Sequence, residues 1–211
     1  MSGLGIEDTK ARLTAACEAI VAAKDALCAA DRAIGDGDHG VGMARGFSAA
    51  AEALATKPAA TVGDLFKTVG MAVMGKSGGA SGAVFGTLFM AAAKPLDGDT
   101  LTTSGLADAL QEGLEAVKKR GGAQEGQKTV LDAIAPTIAA LRTVSGEDIT
   151  TALKTAAGAA KAGVDATKDM VARTGKARTL GERSKGHVDP GAQSFALIRA
   201  AFAGEDATLA G

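Results

Sequence analysis

The stretch Leu13-Thr14-Ala15-Ala16-Cys17-Glu18-Ala19-Ile20-Val21, continued by Leu27, sets apolar side chains at helical spacing and then stops at Gly35-Asp36-Gly37-Asp38-His39-Gly40. Residues three and four apart share one face of a helix, whereas closely spaced glycines break it. The same alternation of Ala-rich helical run and break recurs to the end of the chain. After a first helix over about 7–30, helices are expected at about 41–56, 61–75, 82–93, 102–120, 128–143, 148–173 and from 191 to 203. Lys57-Pro58 and Ser145-Gly146-Glu147-Asp148 are ordinary stop and start signals between them. The run at 175–191 is polar and reads as irregular. No segment alternates apolar and polar residues for long, so no sheet is expected. The fold class is all-α, an eight-helix up-and-down bundle or barrel forming one domain over residues 1–211.

Composition points the same way. The 211 residues include 48 Ala and 29 Gly, with six Phe, four Pro and no Trp or Tyr. Strands favour β-branched and aromatic side chains, so a β-sandwich or barrel is disfavoured. Lys+Arg total 23 against 24 Asp+Glu, a net charge of -1. That leaves no basic footprint for nucleic acid or an anionic membrane. No uncharged apolar run reaches the ~18 residues of a membrane span, and the N-terminus lacks the basic and apolar regions of a secretory signal. Cys17 and Cys28, eleven residues apart on one expected helix, would lie ~16 Å apart along its axis. A disulfide needs Cα atoms within ~7 Å, so two free, buried thiols and a reducing cytoplasm are expected.

Four breaks, at 35–40, 75–82, 120–128 and 175–191, combine glycines with Asp, Ser, His, Lys or Arg. They follow the first, third, fifth and seventh expected helices. In an up-and-down topology, alternate connections fall at the same end, so all four should meet there.

Asp31, at the end of the first expected helix, lies within eight residues of Asp36 and Asp38 in the first break. Converging carboxylates repel unless a cation sits among them, and hard oxygen donors suit Mg2+ or Ca2+. An EF-hand is ruled out because Phe47 stands where its bidentate Glu is required. The spacing equally allows a solvated turn with Asx hydrogen bonds. Gly78-Gly79-Ala80-Ser81-Gly82 opens an apolar helix, where unobstructed backbone N–H groups can bind an anion. Glycine also serves close helix packing, so this feature is unspecific alone. In the last break, Lys176, Arg178, Arg183 and Lys185 are cations able to neutralise phosphate, ahead of Asp189-Pro190-Gly191 at a helix start. Together these parts are what phosphoryl transfer from a Mg2+-bound nucleotide needs. With no Tyr or Trp available to stack on a base, an aliphatic pocket of Leu, Met and Val is expected.

The ordered set Ile34-Gly35-Asp36-Gly37-Asp38-His39-Gly40, Met43-Ala44-Arg45-Gly46-Phe47, Gly78 to Gly82, Gly126-Gln127-Lys128-Thr129, Leu180-Gly181-Glu182-Arg183-Ser184 and Gly186-His187-Val188-Asp189-Pro190-Gly191 resembles the nucleotide-binding L subunit of dihydroxyacetone kinase. The resemblance implies a barrel of eight helices with ADP or ATP at one end. It implies metal ligands at Asp31, Asp36 and Asp38, holding two Mg2+. It implies nucleotide contacts at His39, Gly40, Val41, Gly42, Ala80, Ser81, Gly121, Val130, Asp189, Pro190 and Gly191. Val130 stands where a Met is common, and Lys176 where the family has an Arg. Lys does not replace a planar phosphate clamp without loss, so either Lys176 or Arg178 would reach phosphate.

The family's ketose is held on a separate K-type subunit through a His, whereas this chain has only His39 and His187, both inside the nucleotide motifs. The resemblance therefore implies a kinase subunit active only with that partner. It leaves open ADP as a resident cofactor, rephosphorylated by a phosphotransferase-system phosphocarrier, or ATP as a substrate. It also leaves open a homodimer, another acceptor such as a different small sugar or a fatty acyl group, and an ADP-loaded regulatory protein.

Overall fold

The computed structural model describes residues 3–209. Among these, nine α-helices form: α1 Ile6–Ala22, α2 Lys24–Ile34, α3 His39–Thr56, α4 Val62–Lys76, α5 Gly79–Ala92, α6 Thr103–Gly121, α7 Leu131–Thr143, α8 Ile149–Ala166 and α9 Pro190–Ala203. Eight of them make a closed ring. From α3 to α9 each helix packs on the next, α1 packs on α3, and α9 closes on α1. The expected eight-helix barrel is therefore present, with α2 as a ninth helix outside the ring, lying against α3.

That ninth helix corrects the expectation of one continuous helix over 7–30. The helix breaks at Ala23, with φ -83° and ψ 6°. The break lets α2 tilt onto the start of α3, where Gly40 meets its backbone: a Cβ on Gly40 would overlap the carbonyl oxygen of Lys24. Cys17 and Cys28 thus lie on two helices, both buried and unpaired. Burial pushes the Cys17 thiol up to about 12, so it is no nucleophile at neutral pH.

Two other boundaries differ. The helix expected to reach residue 173 ends at Ala166 and passes into a 3-10 turn, Thr167–Asp169. The segment expected to be irregular carries a 3-10 stretch, Lys176–Ser184, kinked at Gly181, where φ is 56°. Ser184 is buried there, and its hydroxyl accepts from the Ala172 amide at 2.9 Å. A minimal antiparallel pairing, Leu4–Gly5 with Thr100–Leu101, ties the start of α1 to the α5–α6 connection.

Helix starts follow local chemistry. Thr61 and Asp64 form a reciprocal capping box at α4, and Asp148 accepts from the amides of Thr150 and Thr151 at α8. Inside the ring, Leu13, Ile20, Met43, Phe47, Leu65, Phe85, Leu106, Leu153, Phe195 and Phe202 are almost wholly buried in one continuous core. Small residues at the crossings let the backbones approach, as Gly63, Gly70, Gly86, Gly113 and Gly163 do. The barrel's rigidity fixes the loops at its ends.

Candidate functional site

One end of the barrel opens into a cavity of about 530 Å³, lined from all four Gly-rich breaks. The first break supplies Asp31, Asp36, Asp38, His39, Val41 and Gly42, and the second Gly78, Gly79, Ala80 and Ser81. The third supplies Lys128, Thr129 and Val130, and the fourth Lys176 with Asp189, Pro190 and Gly191. The starts of α3, α5 and α9 all face this space. Each helix start is a positive dipole end with unbonded N–H groups, so three of them focus positive potential on one place. At α5 no side chain caps these groups among the described residues. Gly78 and Gly79 turn the chain with φ of 73° and 60°, a conformation side chains resist.

The carboxylate cluster sits in the same cavity at the start of α3, where Asp38 is the N-cap residue. One oxygen each from Asp31, Asp36 and Asp38 lie within 4.8 Å of one another. Asp31 is oriented by its own loop: its Oδ2 accepts from the amides of Gly37 at 2.9 Å and His39 at 3.2 Å. Asp36 and Asp38 are exposed and face Lys176, whose ammonium forms a salt bridge with Asp36 and lies 3.6 Å from Asp38. This hydrogen bond holds the Asp36 carboxyl below the usual carboxylate range and raises the Lys176 ammonium. Hard oxygen donors at this spacing fit a divalent cation such as Mg2+.

His39 is buried beneath the cluster. Its Nδ1 lies 2.8 Å from Ser81 Oγ and its Nε2 2.8 Å from Ser194 Oγ, so one ring joins α3, α5 and α9. Burial pushes the imidazole below its usual value, against the pull of Asp31 and Asp38. A neutral ring donates at one nitrogen and accepts at the other, matching two serines.

At the far wall, Asp132 shapes the third break: its carboxylate accepts from the amides of Gly126 and Thr129 at 2.5 and 2.7 Å. That turn puts Lys128 at φ 61°, buried, with its ammonium donating to the carbonyls of Thr167 and His187. Burial pushes this ammonium below its usual value. Asp189 caps α9, accepting from the Ala192 amide at 2.7 Å. Enclosure of its carboxyl pushes it up to about 7.

The expected site residues mostly meet here, but three do not line the cavity. Gly40 faces α2, Gly121 sits exposed at the end of α6, and Arg178 points elsewhere on the 3-10 stretch. Of the two candidate cations, Lys176 reaches the site and Arg178 does not. Two of the four cations of the last break are paired with carboxylates: Lys176 with Asp36, and Lys185 with Glu182 at 2.9 Å. The apolar lining keeps the expected Val, at Val41, Val84 and Val130, but has Ile34 and Phe85 in place of Leu and Met. Sequence reasoning left Arg45, Ser77, Lys128 and Ser194 without a role. Lys128 and Arg45 carried a signal, each as the one cation inside a quoted motif, Gly126 to Thr129 and Met43 to Phe47.

Comparison with known proteins fits this geometry. Residues 33–204 match the DAK2 domain. The chain is 44% identical over 175 residues to the ADP-binding subunit DhaL of PEP-dependent dihydroxyacetone kinase 1 from Listeria innocua, covering 83% of this chain and 84% of that protein. It is 39% identical to the corresponding subunit from Escherichia coli, covering 82% and 83%. The crystal structure of dihydroxyacetone kinase from C. freundii in complex with AMP-PNP and Mg2+ superposes with a TM-score of 0.73 at 26% identity, over 97% of this chain and 35% of that one. The chain therefore belongs to the DAK2 domain family.

Proposed function

We propose that the cavity binds ADP or ATP with Mg2+, and that the chain is the nucleotide-presenting subunit of a dihydroxyacetone kinase. It would pass a phosphoryl group to a small ketose held on a separate K-type subunit. One observation carries this reading: three helix starts and three carboxylates line a single cavity. An anion bound between them needs both the N–H groups and a cation to bridge it to the aspartates. Asp31, Asp36 and Asp38 would hold the metal, and two Mg2+ follow from the family resemblance. Bound there, the metal would neutralise charge on the phosphates. Ala80 and Ser81 would offer donors to phosphate, and Val41, Val84, Phe85 and Val130 an apolar wall to the base.

The relatives matched over most of their own length are named ADP-binding subunits of PEP-dependent kinases, which supports resident ADP over turnover of free ATP. In that mode a phosphotransferase-system phosphocarrier would be the second partner. The buried, unpaired thiols favour a reducing, cytoplasmic setting.

Two measurements test the reading. Denaturing the purified chain should release stoichiometric ADP, or titration calorimetry should show Mg2+-dependent ADP binding. Asp36→Ala should weaken that binding at least about a hundredfold, since even outer partners of a metal cost 10–100-fold. The chain alone should phosphorylate no ketose from ATP. Unchanged Mg2+-dependent binding in Asp36→Ala would sink the metal assignment, and turnover without a partner the subunit assignment.

A further inference from the structure

We propose that Arg45 is a positioning residue for the loop Gly78–Ser81. Its guanidinium binds the carbonyls at the end of α4, clamps the turn into α5 against α3, and screens those carbonyls from an anion in the cavity. The screening half rests on the reading that the cavity takes a phosphate.

The problem Arg45 solves is one of sign. α4 ends at Lys76 and α5 begins at Gly79, so only two residues separate them. A helix's last carbonyls lack intrahelical partners and form its negative dipole end. The negative end of α4 thus abuts the positive end of α5, and an anion attracted to the second would be repelled by the first. Arg45 projects from α3 onto this junction. Its Nε donates to the Lys76 carbonyl at 2.7 Å and its Nη2 to the Ser77 carbonyl at 2.5 Å. Two carbonyls are thereby bonded and their negative potential is offset by a guanidinium that itself lines the cavity. The planar fork holds its Nε–H and Nη2–H in a fixed geometry that fits two adjacent carbonyls, which a flexible ammonium does not reproduce.

The surrounding glycines show how tightly the junction is closed. A Cβ on Gly46 would overlap Ser77 Oγ, one on Gly42 would lie 3.2 Å from the Ser77 carbonyl, and one on Gly82 2.8 Å from Ser77 Cβ. Ser77 is wedged between α3 and α5, 1% exposed, yet its hydroxyl has no hydrogen-bond partner among the described residues. Its side chain makes no bond to α3 and its amide bonds back to Val73 within α4, so the two bonds from Arg45 are what tie the junction to α3. Gly78 completes the arrangement, because a Cβ there would crowd Arg45 Nη2 at 3.0 Å.

Amide hydrogen exchange on the full chain, read together with Mg2+-ADP titration, tests this. Arg45 is exposed, so Arg45→Ala leaves the core untouched. In nucleotide-free protein, Arg45→Ala and Arg45→Lys should both speed exchange at residues 78–82 about tenfold, the scale of one charge-assisted hydrogen bond, and leave 36–42 and 187–193 unchanged. Both should weaken Mg2+-ADP about tenfold. Weaker binding with unaltered exchange would mean that Arg45 touches the ligand directly, which overturns the proposal. So would wild-type behaviour of Arg45→Lys. Faster exchange in a protein that binds no Mg2+-ADP even as wild type would uphold the clamp and remove the nucleotide reading instead.

Discussion

The ammonium of Lys176 rests between the carboxylates of Asp36 and Asp38, bonded to the first and 3.6 Å from the second, across 140 positions of sequence. Three aspartates gathered on one short loop repel one another, and this tethered cation relieves the repulsion. It stands where a divalent cation would compete for the same oxygens. Under the proposed function Lys176 would have two alternative partners: the carboxylates without metal, and a phosphate once a metal took its place.

Lys176→Met should raise affinity for a divalent cation in nucleotide-free protein, by about two- to fivefold, because exposed ion pairs are weak. It should weaken ADP binding at the same time. Mn2+ titration followed by electron paramagnetic resonance reads the first effect. Unchanged or weaker Mn2+ binding would show that the ammonium does not compete for the carboxylates.

Gly40 separates packing from ligand contact. Because its Cβ would overlap the Lys24 carbonyl, Gly40→Ala forces α2 away from α3. The expected cost is about 1–3 kcal/mol, as for other overpacked sites, read from chemical denaturation. Full stability with lost ADP binding would instead make Gly40 a ligand contact.

The two serines on His39 should behave differently. Ser194 is wholly buried, so Ser194→Ala strands one imidazole nitrogen away from water and should cost about 1–3 kcal/mol in urea unfolding. Ser81 is half-buried at the cavity wall, where water can replace its hydroxyl, so Ser81→Ala should cost less. Equal losses at both positions would contradict the asymmetry in burial.

Asp189 makes stability depend on pH in a defined direction. Its folded-state value of about 7 exceeds the ordinary Asp value of 3.8, so between these limits the folded chain holds a proton that the unfolded chain has released. Stability then falls as pH rises from 4 to 7, by at most ~1.4 kcal/mol per pH unit for one proton. The neutral His39 acts in the opposite sense over part of this range, so the comparison to make is with Asp189→Asn. Wild type minus variant should slope downward from pH 4 to 7 and flatten above it. A flat difference would mean that the Asp189 carboxyl is solvated.

Local signals decided the secondary structure. Apolar spacing and glycine breaks were enough to place the ring helices, because a helix face depends on residues three and four apart and a cap on residues within one turn. The Thr61 and Asp148 starts are of this kind. The meeting of the four breaks also followed, since alternation alone sends every second connection to one end. The Ala23 break was not visible: nothing at Ala22-Ala23-Lys24 disfavours helix, and only the approach of α3 at Gly40 accounts for it. Nor does sequence distinguish Lys176 from Arg178, two cations on one polar run; the 3-10 path sets the first against Asp36. Ser194 reads as an ordinary helix residue until α9 closes the ring and sets it against His39. Arg45 likewise acquires its carbonyls only when α3 lies along the α4–α5 turn. These pairings join residues 16 to 155 positions apart, and a contact between distant segments is fixed by the packing of the ring, not by the chemistry of either segment alone.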